Sequence, residues 1–297
     1  MKKLFTALLA LCLLCGCSSK PETIVEAPEA ITVFGQEIKV EGKLKEVLEK
    51  GKLVISTAPP YAPNEYVDEL TGEVKGCEMD LGKYIAEQLG VELVIESMDF
   101  EGTLIALDTD KVDLSISGFG YKADRAEQYE LSHGYYASNT DSSHHTIIIK
   151  ATDKDKYKTL EDFNAAGLKI DAQTSSLQQM YVEDQLPNAE LTLFSDFSQA
   201  ILDLSTGKTD AVALDSTTAK NYAVTSNGEF ISVYDDLGIE FDLSMYAEVD
   251  GNVLAAKKGE TALMDVCNLC IDKAMADGLY KEWYLAACEE SGVEPEL

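Results

Sequence analysis

Short apolar runs alternate with amphipathic stretches along most of this chain. Lys52–Thr57 has the apolar residues of a strand, and Cys77–Leu89 has them at helical spacing and stops before Gly90. The alternation continues, with strands predicted at 91–95, 112–116, 147–149, 168–172 and 211–214 and helices at 102–107 and 198–204. Strands that alternate with helices predict an α/β fold in which the sheets are largely parallel.

Two segments of the chain repeat one pattern. Residues 104–113 and 200–210 each predict the end of a helix, a turn with a lysine, and an aspartate before a strand. Ser117 follows the first of these strands and Asp215 follows the second. Ligands of open α/β sheets bind beyond the carboxyl ends of the strands. If the two halves are lobes that face each other, Arg125 and Asp215 place a cation and an anion on either side of a cleft, which suits a zwitterion.

Arg125 is the only arginine among 24 basic residues. A guanidinium has a planar fork of donors that binds a carboxylate through two hydrogen bonds, which an ammonium cannot do. An arginine kept in a chain that otherwise uses lysine therefore indicates a carboxylate-binding role. An ordinary surface arginine is the alternative, but its position shortly after a strand favours the first interpretation.

The N-terminus predicts a signal peptide and a lipid anchor. Two lysines precede an apolar run that is too short to span a bilayer, which is typical of a signal peptide, here residues 1–16. Leu14-Cys15-Gly16-Cys17 resembles a bacterial lipobox, in which Cys17 would be lipidated and would anchor the protein at the extracytoplasmic face of the cell membrane. Residues 17–39 are rich in Pro, Glu, Ser and Thr and predict a tether. Cleavage of an ordinary signal peptide nearby is the alternative.

The net charge of the chain argues against a nucleic-acid partner. Asp and Glu total 53 against 24 Lys and Arg, a formal net charge of −29, and the sequence has no basic cluster. Such a surface repels nucleic acid and anionic lipid, so no nucleic-acid partner is expected.

Two residue pairs raise the question of a metal site. Cys267 and Cys270 share the apolar face of a predicted helix, and no second close cysteine pair completes a zinc site. Buried free thiols are therefore predicted, with a bridge from Cys288 to either of them as the alternative. His144 and His145 have no carboxylate cluster fixed beside them by the sequence, so a solvated loop is expected there. No metal and no cofactor are predicted.

Many short motifs occur in the order, and close to the spacing, of a known family. Over residues 51–284 the chain resembles the polar amino-acid-binding proteins of ABC importers. The motifs that carry the resemblance lie at 51–55, 61–63, 76–81, 98–107, 117–125, 133–136, 210–215 and 276–284.

The resemblance implies a two-lobe periplasmic-binding-protein type II fold, in which each lobe is a mostly parallel sheet flanked by helices. Lobe 1 would comprise residues 40–137 and 250–297, and lobe 2 residues 138–249, with two hinge strands at 135–139 and 247–251. It also implies a substrate-binding lipoprotein, not an enzyme, that delivers an amino acid to the permease and ATPase of an ABC importer. A ligand-sensing lipoprotein without transport and a dehydratase-like enzyme on the same fold are the alternatives.

The same resemblance implies how the ligand is held between the lobes. Arg125 would bind the α-carboxylate and Asp215 the α-ammonium, and the rings of Tyr61 and Phe100 would enclose the side chain. Further contacts are expected at Ser117, at the main-chain N–H of Gly118, at Gly120, at the helix start near Ser176, and from Gln173 to a polar side chain.

Departures from the family pattern affect the expected ligand. Gly120 lacks the usual hydroxyl, Asn64 replaces an aromatic residue, and the segment 138–145 is longer than usual. Ala58 stands where relatives that bind cationic ligands commonly have an acid. Since a buried, unpaired cation is costly, an uncharged polar ligand such as glutamine is expected, unless Asp141 in the long segment supplies an anion.

Overall fold

The computed structural model describes residues 26–137, 144–244, 246 and 251–295. The strands are β1 Ala30–Val33, β2 Gln36–Lys39, β3 Lys52–Thr57, β4 Tyr66–Val67, β5 Val74–Lys75, β6 Glu92–Ser97, β7 Leu114–Gly120, β8 Tyr129–Leu131, β9 His145–Lys150, β10 Lys169–Gln173, β11 Glu190–Phe194, β12 Ala211–Asp215, β13 Phe230–Ser232 and β14 Asn252–Lys257. The α-helices are α1 Gly42–Lys50, α2 Cys77–Leu89, α3 Phe100–Asp108, α4 Ala123–Gln128, α5 Leu177–Gln185, α6 Phe197–Thr206, α7 Ser216–Thr225, α8 Val233–Leu237, α9 Thr261–Asp277 and α10 Leu279–Ser291.

Two five-stranded sheets share one arrangement of strands. The order is β6-β3-β7-β14-β8 in the first sheet and β11-β10-β12-β9-β13 in the second. The fourth strand of each, β14 or β9, pairs antiparallel with both neighbours, while the other pairs are parallel. Four strands of each sheet therefore run in one direction, which confirms the predicted class of mostly parallel sheets flanked by helices.

The antiparallel strand of each sheet, β9 or β14, is the first strand after the chain crosses from one sheet to the other. β9 is the first strand of the second sheet, and β14 returns to the first. Tyr135 and Asn252 exchange two backbone hydrogen bonds of 2.9 Å, which join the two crossing segments beside the first sheet. Gly251 has φ 77°, and a Cβ there would overlap the Tyr135 carbonyl. Most of the predicted hinge lies outside the described residues, and the lobe boundaries stay predictions.

The helices that pack beside the first sheet carry four cysteines, and the structure shows their state. None of Cys77, Cys267, Cys270 and Cys288 is in a disulfide, and all four are buried. For Cys267 and Cys270 this confirms the buried thiols predicted from the apolar helix face, and the alternative bridge from Cys288 is not formed. Within the described parts of the chain, no helix combines the length and the apolar character that crossing a membrane requires.

A hairpin near the N-terminus corrects the predicted tether. β1 and β2 lie inside residues 17–39 and turn at Phe34 and Gly35, whose φ angles of 48° and 83° match a tight hairpin turn. Val33 and Ile38 are buried against the core of the first sheet. The polar composition of this stretch hid two strands, because a strand needs only every second residue to be apolar. Residues 1–25, with the predicted signal peptide and Cys17, lie outside the described residues.

Candidate ligand-binding site

All nine predicted contact residues line one cavity between the two sheets. Its volume is about 1090 Å³. β7 extends past its predicted end at 116 to Gly120, so the residues expected near the ligand carboxylate lie at the carboxyl end of a strand. The nine residues are Tyr61, Phe100, Ser117, Gly118, Gly120, Arg125, Gln173, Ser176 and Asp215. Their individual roles in ligand binding stay predictions.

The guanidinium of Arg125 lies deep in this cavity and joins its two sides. Arg125 is 4% exposed; Nη1 donates to the Gly120 carbonyl and Nη2 to the Ser175 carbonyl, each at 2.7 Å. The rings of Phe119 and Phe100 face it at 5.1 and 5.9 Å. Burial lowers the pKa of Arg125 to about 10, so it remains a cation at neutral pH.

Two donors expected near the ligand carboxylate have protein partners. The N–H of Gly118 donates to Glu78 Oε2 at 2.7 Å, and the hydroxyl of Ser117 donates to Glu65 Oε1 at 2.8 Å. Ser117 also accepts a bond from the N–H of Ala58. The Gly118 N–H, which was expected to contact the ligand, is therefore bonded to Glu78 on α2 in this structure.

Sequence reasoning missed the two acids that take these donors. Glu65 is 1% exposed and Glu78 is 0% exposed, and their carboxyls interact directly. Glu65 Oε2 accepts no bond from a protein donor among the described residues, so it can carry a proton and donate it to Glu78. Glu78 Oε1 also accepts from the Tyr135 hydroxyl at 2.7 Å and from Asn252 Nδ2 at 3.0 Å. Burial raises the pKa of both carboxyls, but the donors to Glu78 hold the charge there, so Glu65 keeps the proton.

A signal for the buried acid was present in the sequence. Glu78 is spaced three and seven residues before Leu81 and Ile85, on the apolar face of the predicted helix. An acid at such a position is buried and needs several donors. No sequence pattern, however, identified Glu65 as its partner.

The packing of Leu177 explains the glycine at position 120. A Cβ on Gly120 would overlap Leu177 Cδ1, which reaches across from α5. The usual hydroxyl is therefore replaced by an apolar contact between the two sides of the cleft. Gly118 is constrained as well: its φ is 57°, and a Cβ would lie 2.5 Å from Cε1 of the Tyr61 ring.

Asp215 and Tyr61 form a second link across the cavity. Asp215 ends β12 and caps α7, and its Oδ1 accepts the N–H of Thr218 at 2.9 Å. The Tyr61 hydroxyl donates to the same carboxylate. Burial, followed by the charge of Asp215, raises the pKa of Tyr61 well above its ordinary value, so the phenol stays protonated. Asp215 is half-buried, and desolvation raises its pKa above the ordinary value. A cationic ammonium beside it would favour its charged form.

Ser176 shapes the cavity as a helix cap. Its hydroxyl accepts the N–H of Gln179 at 3.1 Å and donates to the carbonyl of Gln173 at 2.7 Å. Both hydrogen bonds of the hydroxyl therefore lie within the start of α5. The N-terminus of this helix, with its positive dipole end, lies at the cavity wall that faces Arg125.

The two adjacent histidines correct the expectation of a solvated loop. His145 begins β9, is 6% exposed, and lines the cavity. Burial lowers its pKa to about 4, and the neighbouring His144 acts in the same direction. The His144 ring stacks on Tyr234 with centroids 4.3 Å apart and hydrogen-bonds to Glu240. Antiparallel pairing with β12 brings this segment into the site, and no local pattern indicates that pairing.

Within the described ranges, no group of three or more His, Cys, Asp or Glu side chains is arranged to hold a metal ion. The cavity instead offers the guanidinium of Arg125, the half-buried carboxylate of Asp215 and several aromatic walls. These groups can bind a zwitterion through complementary charges.

Residues 53–286 match the family of bacterial extracellular solute-binding proteins, family 3. The chain belongs to this family. It is 27% identical to a probable histidine-binding protein of Campylobacter jejuni, over 77% of this chain and 81% of that protein. It is 25% identical to ABC transporter arginine-binding protein 1 of Escherichia coli, over 78% of this chain and 88% of that protein.

A solved structure shows the same fold. An amino acid ABC transporter substrate-binding protein from Streptococcus pneumoniae, bound to L-arginine, superposes with a TM-score of 0.72 at 30% identity, and the match covers 84% of this chain and 98% of that one. The fold is that of type II periplasmic amino-acid-binding proteins. The relatives named here are binding proteins rather than enzymes, although a more distant relative is a cyclohexadienyl dehydratase.

Proposed function

We propose that this chain captures one uncharged polar amino acid between its two lobes and delivers it to the permease and ATPase of an ABC importer. The observation that carries the proposal is the placement of Arg125 and Asp215 in one cavity, at the carboxyl ends of strands from two different sheets. A guanidinium and a half-buried carboxylate in this arrangement fit the two charged ends of an α-amino acid. Tyr61 lines the same cavity beside Asp215, as an aromatic wall with a polar end.

The carboxyls around the cavity favour a neutral ligand side chain. Glu65 holds a proton beside Glu78, and Asp215 is assigned to the ligand ammonium, so neither is available to a cationic side chain. Glu240 hydrogen-bonds to His144, and Asp242 accepts from Ser244. A cationic side chain would have to compete for these committed acids or be buried unpaired.

A cationic ligand is the second candidate. The relatives include proteins for arginine and histidine, and Glu240 and Asp242 line the same cavity as Arg125. These two acids could pair with a long cationic side chain if their present partners were displaced.

A thermal-shift screen of the twenty amino acids with the purified protein tests the proposal. A ligand at about 100 times its Kd stabilises the folded state by about 2.7 kcal/mol, so glutamine or another neutral polar amino acid should give the largest shift. Competition titrations then compare the best neutral ligand with lysine and arginine. Submicromolar affinity for either cation would replace the first candidate by the second, and the absence of any shift would reject amino-acid binding.

The N-terminal part of the proposal is a lipid anchor at Cys17 on the extracytoplasmic face of the membrane. It rests on the lipobox-like Leu14-Cys15-Gly16-Cys17 after the apolar run. Wild-type protein should sediment with membranes, and Cys17→Ser should shift it to the soluble fraction, since acyl chains supply the attachment. Cys77→Ser is a control for losing a thiol. Equal sedimentation of the wild type and Cys17→Ser would contradict the anchor.

A further inference from the structure

A buried histidine lies beside Asp215 on the wall of the cavity. The antiparallel register of β9 and β12 pairs His145 directly with Asp215. Side chains of directly opposite residues project from the same face of a sheet, with Cβ atoms about 4.5–5.5 Å apart. His145 is therefore next to the carboxylate that the proposed function assigns to the ligand ammonium.

Helix α5 fixes the orientation and the tautomer of this ring. Gln178 Nε2 lies 2.9 Å from His145 Nδ1, and the Tyr181 ring meets the imidazole edge-on with centroids 5.1 Å apart. With the Gln178 amide placed so that its nitrogen donates, Nδ1 is the acceptor and the ring proton is assigned to Nε2. The Nε2–H is then the part of the ring that can donate to a ligand.

The protonation state of His145 suits a neutral ligand group. Because burial lowers its pKa to about 4, the ring is uncharged at neutral pH and does not repel the ligand ammonium beside it. An uncharged N–H donor in a desolvated site discriminates between side chains that can accept a hydrogen bond and those that cannot, because an unmade buried bond is costly.

We propose that His145, held by Gln178, is a specificity-determining residue that selects a ligand side chain ending in a hydrogen-bond acceptor, with a primary carboxamide as the favoured class. This inference rests on the proposed function, because it assumes that an amino acid is held between Arg125 and Asp215. It adds the part of the site that distinguishes one neutral amino acid from another.

Calorimetric titration of the full chain with L-glutamine and with L-norleucine tests the inference. Norleucine has an apolar chain of similar length and lacks the acceptor. Wild type should prefer glutamine. His145→Leu should weaken glutamine binding about tenfold or more, the loss expected for one buried hydrogen bond, and should change norleucine binding less than about threefold. His145→Gln, which keeps an N–H donor, should retain part of the preference.

The control is His133→Leu, because His133 is exposed and pairs with Asp272 away from the cavity. This variant should leave both affinities unchanged. Equal losses of glutamine and norleucine in His145→Leu would mean that His145 acts only through the fold, and would overturn the inference. Absence of a wild-type preference for glutamine, including absence of glutamine binding, would also overturn it. The proposed function fails separately, if no amino acid binds or if lysine or arginine binds with submicromolar affinity.

Discussion

Replacing Arg125 with lysine is expected to weaken amino-acid binding about ten- to a hundredfold while the protein stays folded. The guanidinium donates through Nη1 and Nη2 in two directions at once, to the carbonyls of Gly120 and Ser175. A carboxylate can accept both donors from such a fork, whereas an ammonium is a point charge. The loss of one charge-assisted hydrogen bond costs roughly 1.5–3 kcal/mol, which corresponds to this range of Kd.

Titration calorimetry with the amino acid that gives the largest thermal shift measures this effect. Lys122→Met is the matched control, because Lys122 lies three residues earlier, carries the same charge, and pairs with Asp124. The control should bind as the wild type does. An unchanged Kd in Arg125→Lys would remove Arg125 from the carboxylate site, and loss of cooperative unfolding would mean that Arg125 serves mainly the fold.

Replacing Glu78 with glutamine is expected to destabilise the protein by roughly 3–5 kcal/mol, the cost of breaking a buried charged network. The Glu78 carboxylate accepts from the Gly118 N–H, the Tyr135 hydroxyl and Asn252 Nδ2, and it also bonds to Glu65. An amide has only one acceptor oxygen, so a donor of the protein would face the new NH₂ group. Urea unfolding compares the variant with the wild type.

Glu65→Gln is the contrasting variant and should cost little at neutral pH. Its amide oxygen can accept from Ser117 as Oε1 does, and its NH₂ can donate to Glu78 in place of the carboxyl proton. Equal destabilisation by Glu65→Gln and Glu78→Gln would contradict the assignment of the proton to Glu65.

The same pair predicts a pH dependence of stability. Burial, followed by the charge of Glu78, raises the pKa of Glu65 well above its ordinary value of 4.5. A raised carboxyl pKa stabilises the folded state fully below the ordinary value, and this contribution is lost as the pH rises through the folded pKa. Tyr61, Cys77 and Tyr135 surround the pair and keep their protons, because burial raises their pKa values too.

Wild-type stability should therefore fall with rising pH, over the interval that begins at the ordinary carboxyl pKa of 4.5, more steeply than that of Glu65→Gln. Unfolding free energies at three pH values in this interval give the two slopes. The many surface acids contribute to both proteins alike, so the difference between the slopes isolates Glu65. Parallel slopes would show that this carboxyl does not hold a proton in the folded state.

Local patterns were sufficient for the class of fold and for the central charges of the site. The alternation of apolar runs and helical spacing predicted an α/β fold with largely parallel sheets, because each element must bury one face. Arg125 and Asp215 could be placed near each other from the sequence, because both follow the carboxyl ends of strands in a repeated pattern. The helix face that carries Cys267 and Cys270 likewise predicted buried thiols.

Contacts between distant segments were decided only by the tertiary structure. His145 lies beside Asp215 because β9 pairs antiparallel with β12, and strand register is not visible in either strand alone. Glu65 meets Glu78 because a loop folds over the start of α2, and Leu177 fills the place of a side chain at Gly120 because α5 faces β7 across the cleft. The sequence by itself determined which faces are buried and which charges stand at strand ends, since these follow from neighbouring residues. The partners of the buried donors and acceptors depend on segments far apart in the chain, and only the folded arrangement brings those together.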